Sequence, residues 1–321
     1  HRYLQGVARD HGVLPHVRFD TTLLHAAWDD ERQRWAIETS RGTFTADILI
    51  SGVGGLSEPA IPALPGLDTF AGATFHSATW DHDHELRGSR VAVIGTGASA
   101  IQFIPEIVQD VERLTLLQRT PPWVLPRRDR AISPWEQRLF RRVPLAQKAM
   151  RAAIYAGREL FALPLLHPRL ARRTQEMAVA NIHRSVSDPE LRAKLTPDYT
   201  IGCKRILLSN RYYRALARDN VDVVTTGIRE VRPHGVVTDD GVEHPCDTII
   251  FGTGFQVTDQ PVAHQIVGSA GRTIHEAWAG SPTAHLGTTV AGFPNLFMLL
   301  GPNTGLGHTS ITIMIEAQVE Y

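Results

Sequence analysis

Four glycine-rich turns are the first places where this chain could meet a ligand: "GVGGLS" from Gly52, "GTGASA" from Gly95, "GTGFQV" from Gly252 and "GPNTGLGHTS" from Gly301. Only the second lies between an apolar strand, residues 91–94, and a segment able to form a helix. There Gly95 permits a tight turn, Gly97 lets the backbone approach a pyrophosphate without a Cβ, and Ala100 allows close helix–strand packing. The free N–H groups at the helix start would hold the phosphates. Pro105 should kink that helix or loosen one turn. "GVGGLS" runs into Glu58-Pro59 and "GTGFQV" into "TDQP". Neither therefore leads into a helix start, and both are expected to carry backbone tightly past a ligand or a sheet edge. The fourth turn leads from a buried strand into an apolar helix expected from His308. It could aim N–H groups at an electron-rich ring or carbonyl; a plain loop fits the same residues.

Charge selects the nucleotide. An NAD site calls for Asp or Glu about 20 residues after the turn, to accept from the ribose 2′-hydroxyl. Here the next strand ends in Gln118, Arg119 and Thr120, with no carboxylate. Arg119 suits a 2′-phosphate through a charge-assisted pair, so NADP(H) is expected over NAD(H); the bland alternative is an exposed surface arginine. Lys204-Arg205 is a second cationic pair. On an extended segment the two would point to opposite sides and could serve two sites, although a surface pair reads the same way. "HDH" at 82–84 is expected to be a solvated turn, with no metal, because no further ligands are spaced around it. Just before the second glycine turn, "TFAGATFHSATWDHDHEL" carries Phe70, His76 and Trp80 without helical or strand periodicity.

These residues need a scaffold. The chain has 321 residues, 43% hydrophobic and 21% charged, enough for a sizeable core. With 33 basic and 33 acidic residues it is formally neutral, which argues against a chain-wide nucleic-acid or membrane-surface role. No apolar run reaches the length of about 18 residues that a spanning helix needs. Cys203 and Cys246 are far apart, which disfavours a disulfide framework or a structural zinc and fits a reducing cytoplasm. Residues 19–50 read as strands about a polar turn at 29–33, and residues 90–120 as one βαβ unit. Residues 133–200 lose strand signals and take helical spacing; there Ser187, Pro189 and Glu190 spell a helix start with a capping box. Strands return from Asn220. The expected class is α/β with a parallel sheet and sequence-discontinuous domains. Both ends, "HRYLQG" and "EAQVEY", read as cuts in a longer chain.

The opening of the aromatic stretch matches F-x-G-x-x-x-H-x-x-x-W-[P/D] over Phe70, Gly72, His76, Trp80 and Asp81, immediately before the glycine turn. That string resembles the fingerprint of type I Baeyer–Villiger monooxygenases, which are flavin-containing monooxygenases. The resemblance extends to "GGLSEPAIPALPG", "QRTPPWVLPRRD", "GCKRILLSNRYYRAL" and "DTIIFGTGF", and so to nearly the whole chain. It implies two Rossmann-like domains, binding FAD and NADP, with a helical insertion. NADPH would reduce FAD, O2 would add at flavin C4a, and the peroxyflavin would convert a small-molecule ketone to an ester or lactone. The implied domains are residues 1–57 with 248–321 for FAD, 58–128 with 201–247 for NADP, and 129–200 for the insertion.

By the same resemblance, Gly95, Thr96, Gly97, Ala98, Ser99, Ala100 and Gln102 meet the NADP pyrophosphate, Arg119 and Thr120 its 2′-phosphate, and Lys204 a phosphate. Arg205 is the implied catalytic arginine. His76 and Trp80 would act between the domains, His76 orienting the linker and Trp80 packing near NADP. Leu23, Gly254 and Asn303 are further implied cofactor contacts. The family's FAD-binding G-x-G-x-x-G unit would precede residue 1, so the chain by itself is expected to be an N-terminally truncated, inactive piece. Two other readings keep part of this picture: a flavin monooxygenase oxidising N or S centres, and a non-catalytic NADP-binding module.

Overall fold

The structure, a computed structural model, describes residues 2–127, 129–308 and 310–321, without the side chains of residues 161, 163–166 and 168. The chain forms two compact units: residues 1–58, 256–305 and 312–321 make one, and residues 59–255 and 306–311 the other.

The first unit begins with helix α1 (Arg2–Asp10), then strands β1 (Leu23–Asp29), β2 (Arg34–Thr39), β3 (Gly42–Ala46) and β4 (Leu49–Ser51). The polar turn expected at 29–33 does join β1 to β2, and β1, β2 and β3 form an antiparallel meander. Asp29 shapes that turn: its carboxylate accepts from the Glu31 and Arg32 N–H groups, both at 3.0 Å.

The second unit carries a five-stranded sheet. Its strands are β5 (Ala73–His76), β6 (Arg90–Ile94), β7 (Arg113–Leu117), β10 (Val221–Val224) and β14 (Thr248–Phe251), in the order β10-β7-β6-β14-β5 and all parallel. Helix α2 (Ala100–Ile107) links β6 to β7. Between β7 and β10 come the short strand β8 (Val124–Leu125), helices α3 (Pro134–Arg142), α4 (Pro144–Leu166), α5 (Pro168–Ser185) and α6 (Pro189–Leu195), strand β9 (Leu207–Leu208) and helix α7 (Tyr212–Leu216). A three-stranded antiparallel sheet, β11 (Ile228–Arg232), β12 (Gly235–Thr238) and β13 (Glu243–Pro245), fills the gap before β14.

Both faces of the parallel sheet are covered, and the side-chain period of two sorts them. Val91, Val93, Leu114, Leu116 and Ile250 pack with α2 and α7 residues such as Ile104 and Leu216. Ala92, Ile94, Leu117, Ile249 and Phe251 face Val231 and Val236 of the antiparallel sheet. Bidentate pairs fasten the amino ends of the strands. Arg90 binds Asp247 at 2.6 and 3.1 Å, and Arg113 binds Asp222 at 2.5 and 2.7 Å. The carboxyl ends are left for the glycine turn.

The chain then returns to the first unit with α8 (Pro261–Gln265), β15 (Ile266–Val267), α9 (Ile274–Trp278), β16 (Leu296–Met298) and α10 (Ile311–Glu320). β15 pairs parallel with β1, and β16 with β4. Their core gathers Trp28, Trp35, Ile266, Ile274, Trp278 and Phe293, with the two β-hairpin tryptophans edge to face at 5.6 Å.

Some details depart from the sequence reading. The strand at 248–251, expected with the first unit, lies inside the second unit's sheet, because its run of apolar residues is buried on both faces between β6 and β5. Residues 129–200 belong to that same unit. The cap of α6 is Asp188, whose carboxylate accepts from Glu190 and Leu191 N–H; the expected box from Ser187 does not form. A full box occurs instead at α3, between Ser133 and Glu136. Pro105 does not break α2, since Val108 N–H still reaches the Ile104 carbonyl at 3.0 Å. The last helix starts at Ile311. "HDH" is only partly solvated: His84 is half-buried, its Nε2 lying 2.8 Å from Thr248 Oγ1.

Candidate dinucleotide-binding site

The turn from β6 to α2 is held by what lies behind it. Gly95 has φ +106°, and a Cβ there would sit 2.5 Å from the Gly252 carbonyl oxygen. Only glycine suits both constraints. Gly252 opens the third glycine turn, expected to pass a ligand or a sheet edge. It lies at the end of an interior strand and backs onto Gly95, and a Cβ on it would sit 3.4 Å from Ala100 Cβ. Gly97 differs: the nearest atom to a Cβ there is 3.7 Å away. One glycine is demanded by the protein, while at the other a Cβ would make only an ordinary contact.

In front of the turn the backbone donors are unspent. Among the described residues, the N–H groups of Thr96, Gly97, Ala98, Ser99 and Ala100 donate to no acceptor; the first pairings of the helix are Ile101 to Gly97 and Gln102 to Ser99. Ser99 makes no side-chain cap. Such a row of N–H groups at a helix start is an anion cradle. Gln102 folds its amide back on the Ala98 carbonyl at 2.7 Å, which steadies the turn.

The cations come from β7 and the segment beyond it. Thr96 Oγ1 donates to the Thr120 carbonyl at 2.9 Å, tying the glycine turn to the residue after Arg119. Arg119 is exposed, with no hydrogen-bond or ion-pair partner among the described residues. Gln118 faces inward, is 1% exposed, and donates to the Lys194 carbonyl of α6 at 2.7 Å. Downstream, Tyr199 donates its hydroxyl to the Pro121 carbonyl at 3.2 Å, and Lys204 Nζ lies 4.8 Å above the Tyr199 ring. The β8–β9 pairing keeps residues 204–205 beside residues 121–123: Leu207 N–H reaches the Trp123 carbonyl at 2.9 Å. Arg119, Thr120 and Lys204 are thus gathered near the turn, although about 85 residues separate the first from the last in sequence. Arg205 is exposed and also unpaired among the described residues.

The two fingerprint side chains serve opposite faces of the sheet. Trp80 packs edge to face on Phe75 at 5.1 Å and on Phe103 of α2 at 5.3 Å. His76, the last residue of β5, is 1% exposed; its Nδ1 accepts from Ala78 N–H at 3.1 Å and its ring meets Phe255 edge-on at 5.6 Å. Burial pushes the imidazole below its ordinary value, against a smaller opposing effect of the Gly254 backbone. Phe255 is the last residue before the chain crosses to the other unit, and the first crossing runs beside it: Pro59 bridges Phe255, and Ala60 N–H reaches the Gly254 carbonyl at 2.9 Å. Gly72 of the fingerprint is a packing glycine, since a Cβ there would collide with the Asp247 carbonyl. The remaining expected contacts are divided between the two units. Leu23 begins β1 in the first unit, Asn303 is exposed there with φ +63°, and Gly254 sits at the crossing.

Sequence reasoning named Thr96 and the Gly252 turn but not what they touch, and it missed Tyr199 as a builder of the site. Nothing local marks these contacts; their role exists only once β14 and β9 take their places.

A family model described as flavin-binding monooxygenase-like matches residues 1–157. Cyclohexanone monooxygenase from Rhodococcus sp. Phi1, solved with NADP+ bound, superposes with a TM-score of 0.86 at 31% identity, over 99% of this chain and 67% of that one. A cyclohexanone monooxygenase structure with ε-caprolactone bound gives 0.87 at 31% identity, over 99% of this chain and 70% of that one. This chain belongs to the Baeyer–Villiger monooxygenases. A Baeyer–Villiger monooxygenase of Streptomyces coelicolor is 54% identical over 320 residues. That match takes in 99% of this chain, which spans 62% of the relative's length. The family's α/β fold with parallel sheet is the one seen here, and the glycine turn, the fingerprint loop and the Lys204-Arg205 segment all fall within the aligned region.

Proposed function

We propose that this chain supplies the NADP-binding half, and part of the flavin-binding half, of an NADPH- and FAD-dependent monooxygenase that converts a ketone to an ester or lactone. The observation that carries the reading is the row of undonated N–H groups from Thr96 to Ala100 beside an unpaired Arg119. The donor set fits the group it would hold: N–H groups for a pyrophosphate, a guanidinium for a 2′-phosphate and no carboxylate to repel it. When bound, NADPH supplies a hydride to FAD, and the reduced flavin activates O2.

The chain's own contribution is positioning and charge. The glycine turn fixes the pyrophosphate, Arg119 and Thr120 select the 2′-phosphate, and Lys204 adds a second cation. Arg205 presents a permanent cation for the negative charge that develops on the substrate oxygen during oxygen insertion. Trp80 braces α2 through Phe103. Buried His76 stays neutral near pH 7 and so positions the crossing segment at Phe255 without moving protons. Among the described residues no helix is long and apolar enough to cross a membrane, and two free cysteines suit a cytoplasmic enzyme.

Titration with NADP+ and NAD+ tests the site directly. NADP+ should bind about 10–100-fold tighter, and Arg119→Ala should remove most of that preference. Equal binding of the two nucleotides by the unsubstituted protein would sink the proposal. In a protein that also carries the family's FAD-binding unit, supplied with FAD and NADPH, ester formation from a panel of linear, cyclic and aryl ketones tests the chemistry; N-oxide or sulfoxide products in its place would change the substrate class.

A further inference from the structure

Asp259, His264 and His275 lie in the first unit, and none of them has been given a role above. Asp259 precedes α8, His264 sits near the end of α8, and His275 is the second residue of α9. Asp259 Oδ1 is 2.8 Å from His264 Nε2 and 3.3 Å from His275 Nδ1. The two imidazoles stack, with ring centroids 3.9 Å apart and planes at 25°. All three donor atoms fall within 4.8 Å of one another.

The placement is built into the fold. Ala263, next to His264, is 1% exposed; Ile274, next to His275, is 1% exposed; and Trp278, one turn on, is 6% exposed. All three belong to the first unit's core. A reciprocal cap between Thr273 and Glu276 fixes the start of α9. Neither helix can rotate its histidine away without drawing apolar surface out of that core.

Two imidazoles and one carboxylate are the donor set of borderline divalent cations, whereas Mg2+ and Ca2+ prefer all-oxygen sites. A tetrahedral zinc with bonds of about 2.0–2.2 Å sets its donors roughly 3.3–3.5 Å apart. The Asp259–His275 separation is already at that value and the Asp259–His264 separation is shorter, so the three donors need only small side-chain rotations to take up the metal. We propose that Asp259, His264 and His275 bind one divalent cation of the zinc class, clipping α8 to α9, with a fourth position open to water because all three side chains are at least two-fifths exposed. The site is structural, and none of its residues belongs to the nucleotide cradle.

The test uses the protein stripped with a chelator and titrated with zinc chloride, by calorimetry and by metal analysis after dialysis. The unsubstituted protein should bind one more equivalent than the His264→Gln/His275→Gln variant, and zinc should raise its Tm by roughly 5 °C, an increase the variant lacks. Asp259→Asn should weaken that equivalent about tenfold or more, and magnesium chloride should have no effect. The side chains are partly exposed, so the variants should keep the metal-free Tm. If the double variant is less stable, His275→Gln alone carries the comparison. Equal zinc stoichiometry in the protein and its variants, or no binding at about 100 μM zinc, would overturn the proposal.

Discussion

Replacing Gly95 and Gly97 separately by alanine should have opposite consequences, although both belong to one motif. At Gly95 the backbone has φ +106° and the new methyl would lie 2.5 Å from the Gly252 carbonyl oxygen. The left-handed region costs an L-residue about 1–2 kcal/mol. Relieving the overlap means parting the ends of β6 and β14, an overpacking cost of about 1–3 kcal/mol. Together these make about 2–5 kcal/mol, a fall in Tm of roughly 4–20 °C for a unit of this size. At Gly97 the nearest atom is 3.7 Å away, an ordinary contact, so the stability change should stay within about 0.5 kcal/mol. The methyl would instead occupy the side from which a pyrophosphate approaches. Loss of one charge-assisted hydrogen bond, about 1.5–3 kcal/mol, would weaken NADP+ binding roughly tenfold to a hundredfold or a little more. Thermal melts and nucleotide titrations on both variants provide the assay. If Gly97→Ala melts as early as Gly95→Ala, or binds NADP+ as tightly as the unsubstituted protein, the division of labour argued for this turn is wrong.

Four further outcomes are expected. His76 has a pKa below its ordinary 6.5, so the unfolded chain binds a proton that the native state refuses. Its contribution is therefore present above pH 6.5 and declines as pH falls below it, and His76→Asn should flatten Tm between about pH 8 and about pH 5 relative to the unsubstituted protein. Glu136, hydrogen-bonded to Arg130 and to the Ser133 backbone and hydroxyl, is held down at about 2. Its stabilisation is complete above its ordinary 4.5 and fades as pH drops toward 2, so the Tm gap to Glu136→Gln should close over that window, and a pH-independent gap would refute the pairing. Trp80 is half-buried, so Trp80→Ala, which removes two edge-to-face contacts, should cost about 1–3 kcal/mol in a thermal or urea melt. Arg205→Ala should retain NADP+ affinity while ester formation, measured in a protein that also carries the family's FAD-binding unit, falls about 100-fold or more; unchanged turnover would remove its assigned role.

What the sequence determined by itself was whatever is written in short range. The turn at Gly95 could be read because strand, glycines and helix are consecutive. The expectation of NADP over NAD rests on Arg119, because the strand end and its missing carboxylate are adjacent in the chain. The hairpin about residues 29–33 and the strands after Asn220 likewise follow local pattern. The spacing of Phe70, Gly72, His76 and Trp80 pointed to the family, yet it could not tell what these side chains touch.

Tertiary structure decided the partnerships, because each joins segments that only strand order brings together. Gly95 is obligatory through Gly252, which lies more than 150 residues later and meets it only because β14 inserts beside β6. Lys204 reaches the end of β7 through Tyr199 and the β8–β9 pairing. His76 and Trp80, four residues apart, part company because a strand sends Phe75 and His76 to opposite faces, one toward Trp80 and α2, the other toward Phe255 at the crossing between units. Asp259, His264 and His275 carry no metal-ligand spacing as a string. They converge because buried Ala263, Ile274 and Trp278 pin two short helices side by side. Local sequence sets what each segment can be, and the burial of its apolar face sets which polar groups it must then stand beside.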